Sequence, residues 1–369
     1  MANMGRSEEK GKDKKSGNIL ITVLIVIILA LFFSPVNDDS SDSESALYIG
    51  DETPVSSGYE KPDSHALSEA AVAPVTLSNS NSGSNSAPAA PFSVIVAPEA
   101  ATTLNETPYI SASGVYITIS MSDFDVGKGS LVLINSDNRY DIPDAGELSV
   151  VANVKTPSYR VDGNDLRLSP SIIEPLNSMM DAFCAETGVD AVAISSAYRD
   201  YSRQQEIMNE YVAVVGSAEA TKWAAYPGYS EHHSGLAFDF GVYSSGEYVA
   251  FSGTGIYRWF SQTSWKYGFI LRYPNGKTDK TGIAYEPWHF RYVGEPHAYI
   301  IYINDWCLEE YIEMIASHGP DDPYVIEYMG FVYEVYTARD EVIRIPAGCD
   351  YEISGNNIDG YIVTVKHEQ

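Results

Sequence analysis

The chain has 369 residues, with 23 lysines and arginines against 50 aspartates and glutamates, and a formal net charge of −27. This excess of negative charge argues against nucleic acid as a partner, because binding to the phosphate backbone needs clustered lysines and arginines. Three cysteines are too few, and odd in number, for a disulfide framework, and their spacing matches no zinc knuckle.

The N-terminal segment combines a basic tail with an apolar run. Residues 1–15 carry five basic and three acidic side chains, and residues 19–33 are apolar except for Thr22. The run is longer than most signal-peptide cores and slightly short for a full membrane span, and no small-x-small cleavage site follows it. We expect a cytoplasmic tail at residues 1–17 and an uncleaved transmembrane signal anchor at residues 18–36, with a cleaved signal as the alternative. Whether it is an anchor or a cleaved signal, the segment is expected to direct the rest of the chain outside the cytoplasm.

Residues 37–106 have the composition of a linker. They are rich in serine, alanine, asparagine and proline, and residues 79–86 are plainly of low complexity. Too few apolar side chains occur there to offset the entropy lost on ordering. We therefore expect a flexible extracytoplasmic tether with no functional motif of its own.

From residue 107 onward the hydrophobic pattern predicts folded structure. Strands are predicted at 115–121, 130–134, 191–194, 235–242 and 269–271. Helices are predicted from Ser169-Pro170 to Gly188, from a capping box of Ser202 and Gln205, near 256–265, and over 295–316. We interpret Cys184 and Cys307 as buried thiols, although one disulfide among Cys184, Cys307 and Cys349 is the alternative in an exported protein.

The element order predicts an α+β fold with a small antiparallel sheet and flanking helices. We expect a catalytic domain at residues 107–318. The alternating residues 324–366, with turn signals between them, predict a small β-appendage at residues 319–369. Packing against the catalytic domain is its expected role, and binding of glycan or of a partner are the alternatives.

Two short segments carry the residues most suited to chemistry. The first contains His232 and Asp239, and the second contains Glu286 and His289. Two imidazoles and a carboxylate suit a catalytic zinc ion, which needs three protein ligands and one open position. Glu286 precedes His289 by three residues, so the same segment can also supply a free carboxylate as a general base.

An arginine lies beside these segments in the predicted fold. Arg199 follows the predicted strand 191–194 and precedes the second helix, where functional side chains are often found. Its guanidinium could stabilise the oxyanion of a tetrahedral intermediate or bind a substrate carboxylate.

The combined motifs resemble a known family. Ser230-x-His232-x-x-Gly-x-Ala-x-Asp239 followed by Glu286-x-x-His289 resembles the VanY-type D-alanyl-D-alanine carboxypeptidases, which are related to the lysostaphin and hedgehog-like zinc peptidases. The segment Tyr-Arg199-x-Tyr-x-x-Gln204 looks like the same family. The resemblance covers roughly half of the chain.

The resemblance implies roles for individual residues. His232, Asp239 and His289 match the Zn2+ ligands, Glu286 matches the general base, and Arg199 matches the arginine that acts on the scissile carbonyl. Four further residues match substrate-binding positions: Ser230, Gln204, Tyr273 and Trp288. His233 departs from the family pattern and could compete with His232 as a ligand.

These features imply a bacterial cell-wall hydrolase held at the membrane. The expected reaction is zinc-dependent removal of the terminal D-alanine from peptidoglycan stem peptides, in the extracytoplasmic space. The main alternative is the same zinc chemistry applied to a different peptide bond, as in an L,D-carboxypeptidase, D,D-dipeptidase or endopeptidase. A wall-binding module with an idle zinc site is a third hypothesis, against which intact Glu286 and Arg199 argue. The sequence does not indicate the oligomeric state.

Overall fold

The computed structural model describes residues 107–111, 114–141, 147–244 and 246–368. The predicted tail (1–17), signal anchor (18–36) and linker (37–106) lie outside these residues. Within the described part of the chain, no helix is both long and apolar enough to cross a membrane.

The strands and helices follow one another in a mixed order. The strands are β1 Thr107–Ser111, β2 Gly114–Ser120, β3 Ser149–Val150, β4 Arg160–Val161, β5 Arg167–Leu168, β6 Val192–Ser196, β7 Ala237–Ser244, β8 Glu247–Ala250, β9 Phe269–Leu271, β10 His289–Tyr292, β11 Tyr324–Tyr328, β12 Phe331–Ala338, β13 Val342–Pro346, β14 Asp350–Gly355 and β15 Tyr361–Glu368. The α-helices are α1 Val151–Val154, α2 Ile173–Thr187, α3 Tyr201–Val215, α4 Ser217–Ala220, α5 Arg258–Thr263, α6 Thr278–Thr281, α7 His297–Asn304 and α8 Leu308–Ile315.

A six-stranded sheet lies in the middle of the described part of the chain, between residues 160 and 292. Its order is β4-β6-β7-β10-β9, and β8 pairs with β7. All neighbouring strands are antiparallel except β4 and β6, which are parallel. The predicted mixed α+β class is therefore confirmed.

Helix α2 covers one face of this sheet with an apolar stripe. Its buried residues are Leu176, Met179, Met180 and Phe183, which recur at helical spacing. Phe183 packs against Phe260, and Phe240 and Phe290 of the sheet join the same cluster. The helix ends at Gly188, which adopts the left-handed conformation that glycine tolerates at a helix C-terminus. The predicted end at Gly188 is confirmed, whereas the predicted start at Ser169-Pro170 opens a short 3-10 helix, Pro170–Ile172, and α2 itself begins at Ile173.

The C-terminal strands form a second sheet, with the order β11-β12-β15-β14. Residues of α7 and α8, including Ile300 and Leu308, share an apolar cluster with Val335 and Ile362 of this sheet. Strand β13 pairs with β2 rather than with the second sheet, with Ile343 opposite Ile119. Strand pairing thus connects the two sides of the boundary predicted at residue 318.

Two of the predicted elements are wrong in type or extent. Residues 130–134 form no strand, because their backbone bonds to side chains: Arg291 donates to the carbonyls of Ser130 and Val132, and Leu131 N–H donates to Ser354. The predicted helix 295–316 is two helices, since Asp305 adopts a left-handed conformation after α7.

The predicted capping box of the second helix is also wrong. Helix α3 begins one residue before Ser202, and its N-cap is Asp200, whose carboxylate accepts from the Arg203 N–H at 2.7 Å. An aspartate favours this position as strongly as a serine. The three cysteines are free thiols; Cys307 is buried, and the other two are half-buried.

Candidate metal centre

Two of the predicted ligands face each other across paired strands. His289, the first residue of β10, is the direct antiparallel partner of Asp239 on β7. Directly opposite residues point to the same face of a sheet. The His289 Nδ1 consequently lies 3.1 Å from Asp239 Oδ1.

The third predicted ligand comes from a short 3-10 helix, Glu231–Ser234, that precedes β7. His232 Nε2 lies 3.3 Å from Asp239 Oδ2, and the two histidine rings are perpendicular with centroids 4.9 Å apart. The other ring nitrogen, Nδ1, donates to the Ala197 carbonyl at 2.7 Å. This bond leaves Nε2 with its lone pair facing the other two side chains.

The three residues fit a metal ion. One donor atom from each of His232, Asp239 and His289 lies within 4.8 Å of the others. His232 Nε2 and Asp239 Oδ1 are buried yet have no hydrogen-bond partner, which is costly unless a ligand such as a metal satisfies them. Two imidazoles and one carboxylate are the donor set of catalytic zinc sites with an open position.

His233 does not compete for this position. Its Nε2 accepts from the Gly228 N–H at 2.9 Å, and its Nδ1 donates to the Arg199 carbonyl at 2.6 Å. Both ring nitrogens are therefore engaged with the backbone. The group of possible donors contains His232 and not His233, which favours His232 as the ligand.

Glu286 lies beside the cluster in a turn that ends at His289. Its Oε2 is 3.5 Å from His289 Nδ1, and its backbone N–H donates to the Tyr273 carbonyl at 3.1 Å. Burial raises the pKa of Glu286 to about 8, and the Asp239 carboxylate contributes. A carboxylate held close to the donors with a raised pKa suits a general base.

Arg199 is fixed by three contacts. Its Nη2 donates to Asp239 Oδ2 at 3.0 Å, its Nη1 to Gln204 Oε1 at 2.9 Å, and its Nε to Ser196 Oγ at 3.1 Å. Its side chain is half-buried and contacts the donor cluster through Asp239. A cavity of about 290 Å³ adjoins it, lined also by Tyr198 and Asp200.

His232 and His289 have opposite electrostatic surroundings. Burial and the nearby Arg199 charge lower the pKa of His232 to about 4. Although burial opposes it, contacts with Asp239 and Glu231 raise the pKa of His289 to about 9. The chain alone therefore holds a proton at His289 that a bound cation would displace.

The predicted substrate-binding residues surround the cluster in different ways. Both ends of the Gln204 amide are engaged, since its Nε2 donates to the Ala225 carbonyl at 2.8 Å. The Tyr273 ring packs 4.8 Å from the His289 ring and is buried. Ser230 is buried at the start of the 3-10 helix, and Trp288 is half-buried against the main core. Direct substrate contact by these four residues stays a prediction.

Two residues near the site were missed in the sequence. Burial raises the pKa of Tyr211 on α3, and the charge of Glu286 contributes. It follows Gln204 by seven residues, so helical spacing could have indicated a shared face. Glu231 is buried beside His232, and nothing in its local sequence distinguishes it from a surface carboxylate.

Comparison with known proteins identifies the family to which the chain is similar. Residues 165–295 match the family described as VanY, D-alanyl-D-alanine carboxypeptidase. The chain is 35% identical over 254 residues to a D-alanyl-D-alanine carboxypeptidase of Enterococcus faecium, covering 67% of this chain and 78% of that protein. It is 39% identical over 204 residues to a protein of the same name from Enterococcus faecalis, covering 51% and 67%.

A solved structure supports the fold. The crystal structure of the vancomycin resistance D,D-dipeptidase VanXYg, in complex with a D-Ala-D-Ala phosphinate analogue, is 30% identical and has a TM-score of 0.61. The match covers 69% of this chain and 100% of that chain. The fold and the grouped site residues thus define a peptidase. The chain belongs to the VanY family of D-alanyl-D-alanine carboxypeptidases.

Proposed function

We propose that the chain is a zinc-dependent D-Ala-D-Ala carboxypeptidase that removes the terminal D-alanine from peptidoglycan stem peptides. His232, Asp239 and His289 would hold the Zn2+ ion. The observation that carries the proposal is the donor cluster itself, in which buried lone pairs of His232 and Asp239 have no partner in the protein. Membership of the VanY family supports the substrate class.

Bound at this cluster, zinc would supply Lewis acidity, polarising the scissile carbonyl and lowering the pKa of a water molecule. Glu286 accepts the proton of the attacking water, since its carboxylate lies next to the donor cluster. Its raised pKa suits it to return that proton to the amine of the departing D-alanine. One residue therefore performs both proton transfers.

Arg199 supplies positive charge where negative charge develops. Gln204 and Ser196 orient its guanidinium before substrate arrives, so that little reorganisation is needed in the transition state. Its guanidinium, which contacts Asp239 of the donor cluster, would stabilise negative charge on the oxygen of the scissile carbonyl. Ser230, Tyr273 and Trp288 are the remaining candidates for contacts with the substrate.

The alternative activities differ in which peptide bond of the stem peptide is hydrolysed. The VanXYg structure is that of a D,D-dipeptidase, so a fold of this kind also accommodates free D-Ala-D-Ala. L,D-carboxypeptidase and endopeptidase activities would use the same base and guanidinium. A binding module with an idle site is disfavoured because Glu286 and Arg199 are both present and directed at the donors.

The proposed location is the outer face of the cell membrane. Stem peptides of the cell wall lie outside the cytoplasm, and the apolar run at residues 19–33 would serve as a single-pass signal anchor. Residues 37–106 would then act as the tether that lets the catalytic domain reach its substrate. Fractionation of cells into membrane and soluble pools, with and without residues 18–36, tests this location.

The decisive experiment uses the zinc-loaded full-length chain. It is incubated with a stem pentapeptide ending in D-Ala-D-Ala, the matching tetrapeptide and the free dipeptide, alongside Glu286→Ala. Loss of one alanine from the pentapeptide, abolished in the variant, is the expected result. Cleavage of the tetrapeptide alone would establish L,D-carboxypeptidase activity, and cleavage of the dipeptide would establish dipeptidase activity. Zinc binding with no cleavage of any of them would overturn the proposal.

A further inference from the structure

A buried carboxylate lies directly behind the donor cluster. Glu231 precedes His232 in the 3-10 helix, and its side chain is 0% exposed. It is not one of the grouped donors. An ionised carboxylate this deeply buried is costly unless charged partners compensate it.

Two arginines provide that compensation. Glu231 Oε1 accepts from Arg272 Nε and from Arg291 Nη1, both at 2.7 Å, and both arginine side chains are 0% exposed. The two guanidinium groups supply the opposite charge that a buried carboxylate needs, and their hydrogen bonds fix its position.

The two arginines are themselves anchored by other elements. Arg272 donates to both carboxylate oxygens of Glu309 on α8, at 2.6 and 2.8 Å. Arg291 donates from Nη2 to the carbonyls of Ser130 and Val132, each at 2.9 Å. Glu231 is thus the centre of a network that joins α8 and the non-strand segment at 130–134 to the donor cluster.

The second oxygen of Glu231 faces a predicted metal ligand. Glu231 Oε2 lies 3.6 Å from His289 Nε2, and each of these buried atoms has no hydrogen-bond partner of its own. The opposite ring nitrogen, Nδ1, points into the donor cluster. A neutral imidazole carries one proton, so a metal at Nδ1 requires that proton to be on Nε2, directed at Glu231.

We infer that Glu231 is a positioning residue, which orients the His289 ring and fixes its tautomer so that the Nδ1 lone pair faces the metal. This inference rests on the proposed role of His289 as a zinc ligand. Carboxylates behind a ligating histidine typically change metal affinity by about 10- to 100-fold when mutated. Because its side chain is fully buried, Glu231 acts through His289 rather than on the reacting groups.

The test compares Glu231→Gln with Glu309→Gln in the full-length chain. Both variants remove a carboxylate from the same network, but only the first removes the charge next to His289. Zinc affinity is measured by competition with a chromophoric chelator, and stability by urea unfolding. We expect zinc binding to weaken about 10- to 100-fold in Glu231→Gln and to stay within about twofold of wild type in Glu309→Gln, while both variants lose stability.

A second measurement needs no variant of Glu231. In the zinc-loaded wild-type chain, 15N NMR of the histidine rings reports the tautomer of His289, assigned from its absence in His289→Ala. A protonated Nε2 is expected, and a protonated Nδ1 would overturn the inference. So would equal zinc affinities in the two glutamine variants. If the wild-type chain binds no zinc at all, it is the proposed function that fails, and the inference falls with it.

Discussion

The raised pKa values of two residues at the site, Glu286 and His289, should make zinc binding depend on pH. At pH 7 the raised pKa values of Glu286, about 8, and of His289, about 9, leave both groups largely protonated in the chain without metal. A dication favours the deprotonated form of each. We therefore expect zinc binding to release between one and two protons at pH 7, and fewer above pH 9. Calorimetry in buffers of different ionisation enthalpy measures this number.

Glu286→Gln provides the matched control for this release. The variant keeps the ligands but has no carboxylic proton to lose, so it should release fewer protons than wild type at pH 7. Equal release by the two proteins would show that Glu286 is ionised before zinc arrives. In that case the fall in kcat/KM that accompanies protonation of Glu286 would occur well below pH 8.

Arg199 should contribute to rate through the geometry of its guanidinium rather than through charge alone. Arg199→Lys keeps one positive charge but cannot maintain the contacts to Asp239, Gln204 and Ser196 together. We expect kcat to fall by about 10²- to 10³-fold, the cost of losing one oxyanion donor. Steady-state kinetics with the pentapeptide measures the loss.

Arg339→Lys serves as the control for that substitution. Arg339, which follows β12, forms an exposed pair at 2.6 Å with Asp359, which precedes β15, and neither residue is among the grouped donors. Exposed pairs contribute at most about 1 kcal/mol to stability, so this variant should keep wild-type kinetics. A similar loss of kcat in both variants would remove the assigned role of Arg199.

At the scale of elements, the turn after His232 depends on glycine. Gly235 has φ of +70°, and a Cβ there would lie 3.0 Å from Leu148 Cδ2 and 3.1 Å from the Ser169 backbone nitrogen. Gly235→Ala should therefore shift the 3-10 helix that carries His232 and weaken zinc binding. Chelator competition measures the affinity, and urea unfolding measures the stability.

Gly188 offers a closely matched comparison. It has φ of +72° at the end of α2, and a Cβ there would meet nothing within 4 Å. Gly188→Ala should cost about 1 kcal/mol through backbone strain alone and leave zinc affinity unchanged. Equal zinc affinity in Gly235→Ala and Gly188→Ala would mean that the crowding at Gly235 is not transmitted to His232.

The sequence predicted elements well where local pattern decides them. The apolar stripe of α2 and its glycine end were visible, and so were the two segments that carry the donors. Residues 130–134 were misassigned because alternation cannot show that backbone carbonyls bond to a distant guanidinium. The break at Asp305 was missed for a similar reason, since a non-glycine residue in a left-handed conformation gives little local signal.

The candidate site likewise contains residues that local sequence pattern identifies and residues that only distant contacts identify. His232, Asp239, Glu286 and His289 could be selected by residue type and spacing, and the structure groups them. Glu231 could not be selected, because its buried position depends on contacts with two arginines that lie 41 and 60 residues away in the chain. Sequence spacing identifies donors, whereas burial and long-range charge pairing identify what orients them.

At the scale of the whole molecule, one buried histidine joins the catalytic region to the C-terminal sheet. His297 on α7 bonds through Nδ1 to the Tyr311 hydroxyl on α8 at 2.5 Å, and its Nε2 lies 3.1 Å from Thr364 Oγ1 on β15. The histidine is 1% exposed. Its protonation would place a charge in the cluster that holds these elements together.

Burial lowers the pKa of His297 from 6.5 to about 3. Between these values the unfolded chain binds a proton that the folded chain does not, so this group makes the free energy of unfolding fall as pH falls below 6.5. The slope is about 1.4 kcal/mol per pH unit. With zinc present throughout, we expect wild type to lose about 2 kcal/mol more between pH 7 and pH 5 than His297→Gln does, as measured by urea unfolding.

Thr337→Val removes a buried hydroxyl that donates to the Ile315 carbonyl near the same interface, without removing a titratable group. It should lower stability equally at both pH values. If His297→Gln keeps the full wild-type pH dependence, the acid sensitivity of the fold arises elsewhere, and His297 contributes to this interface only through packing and hydrogen bonding.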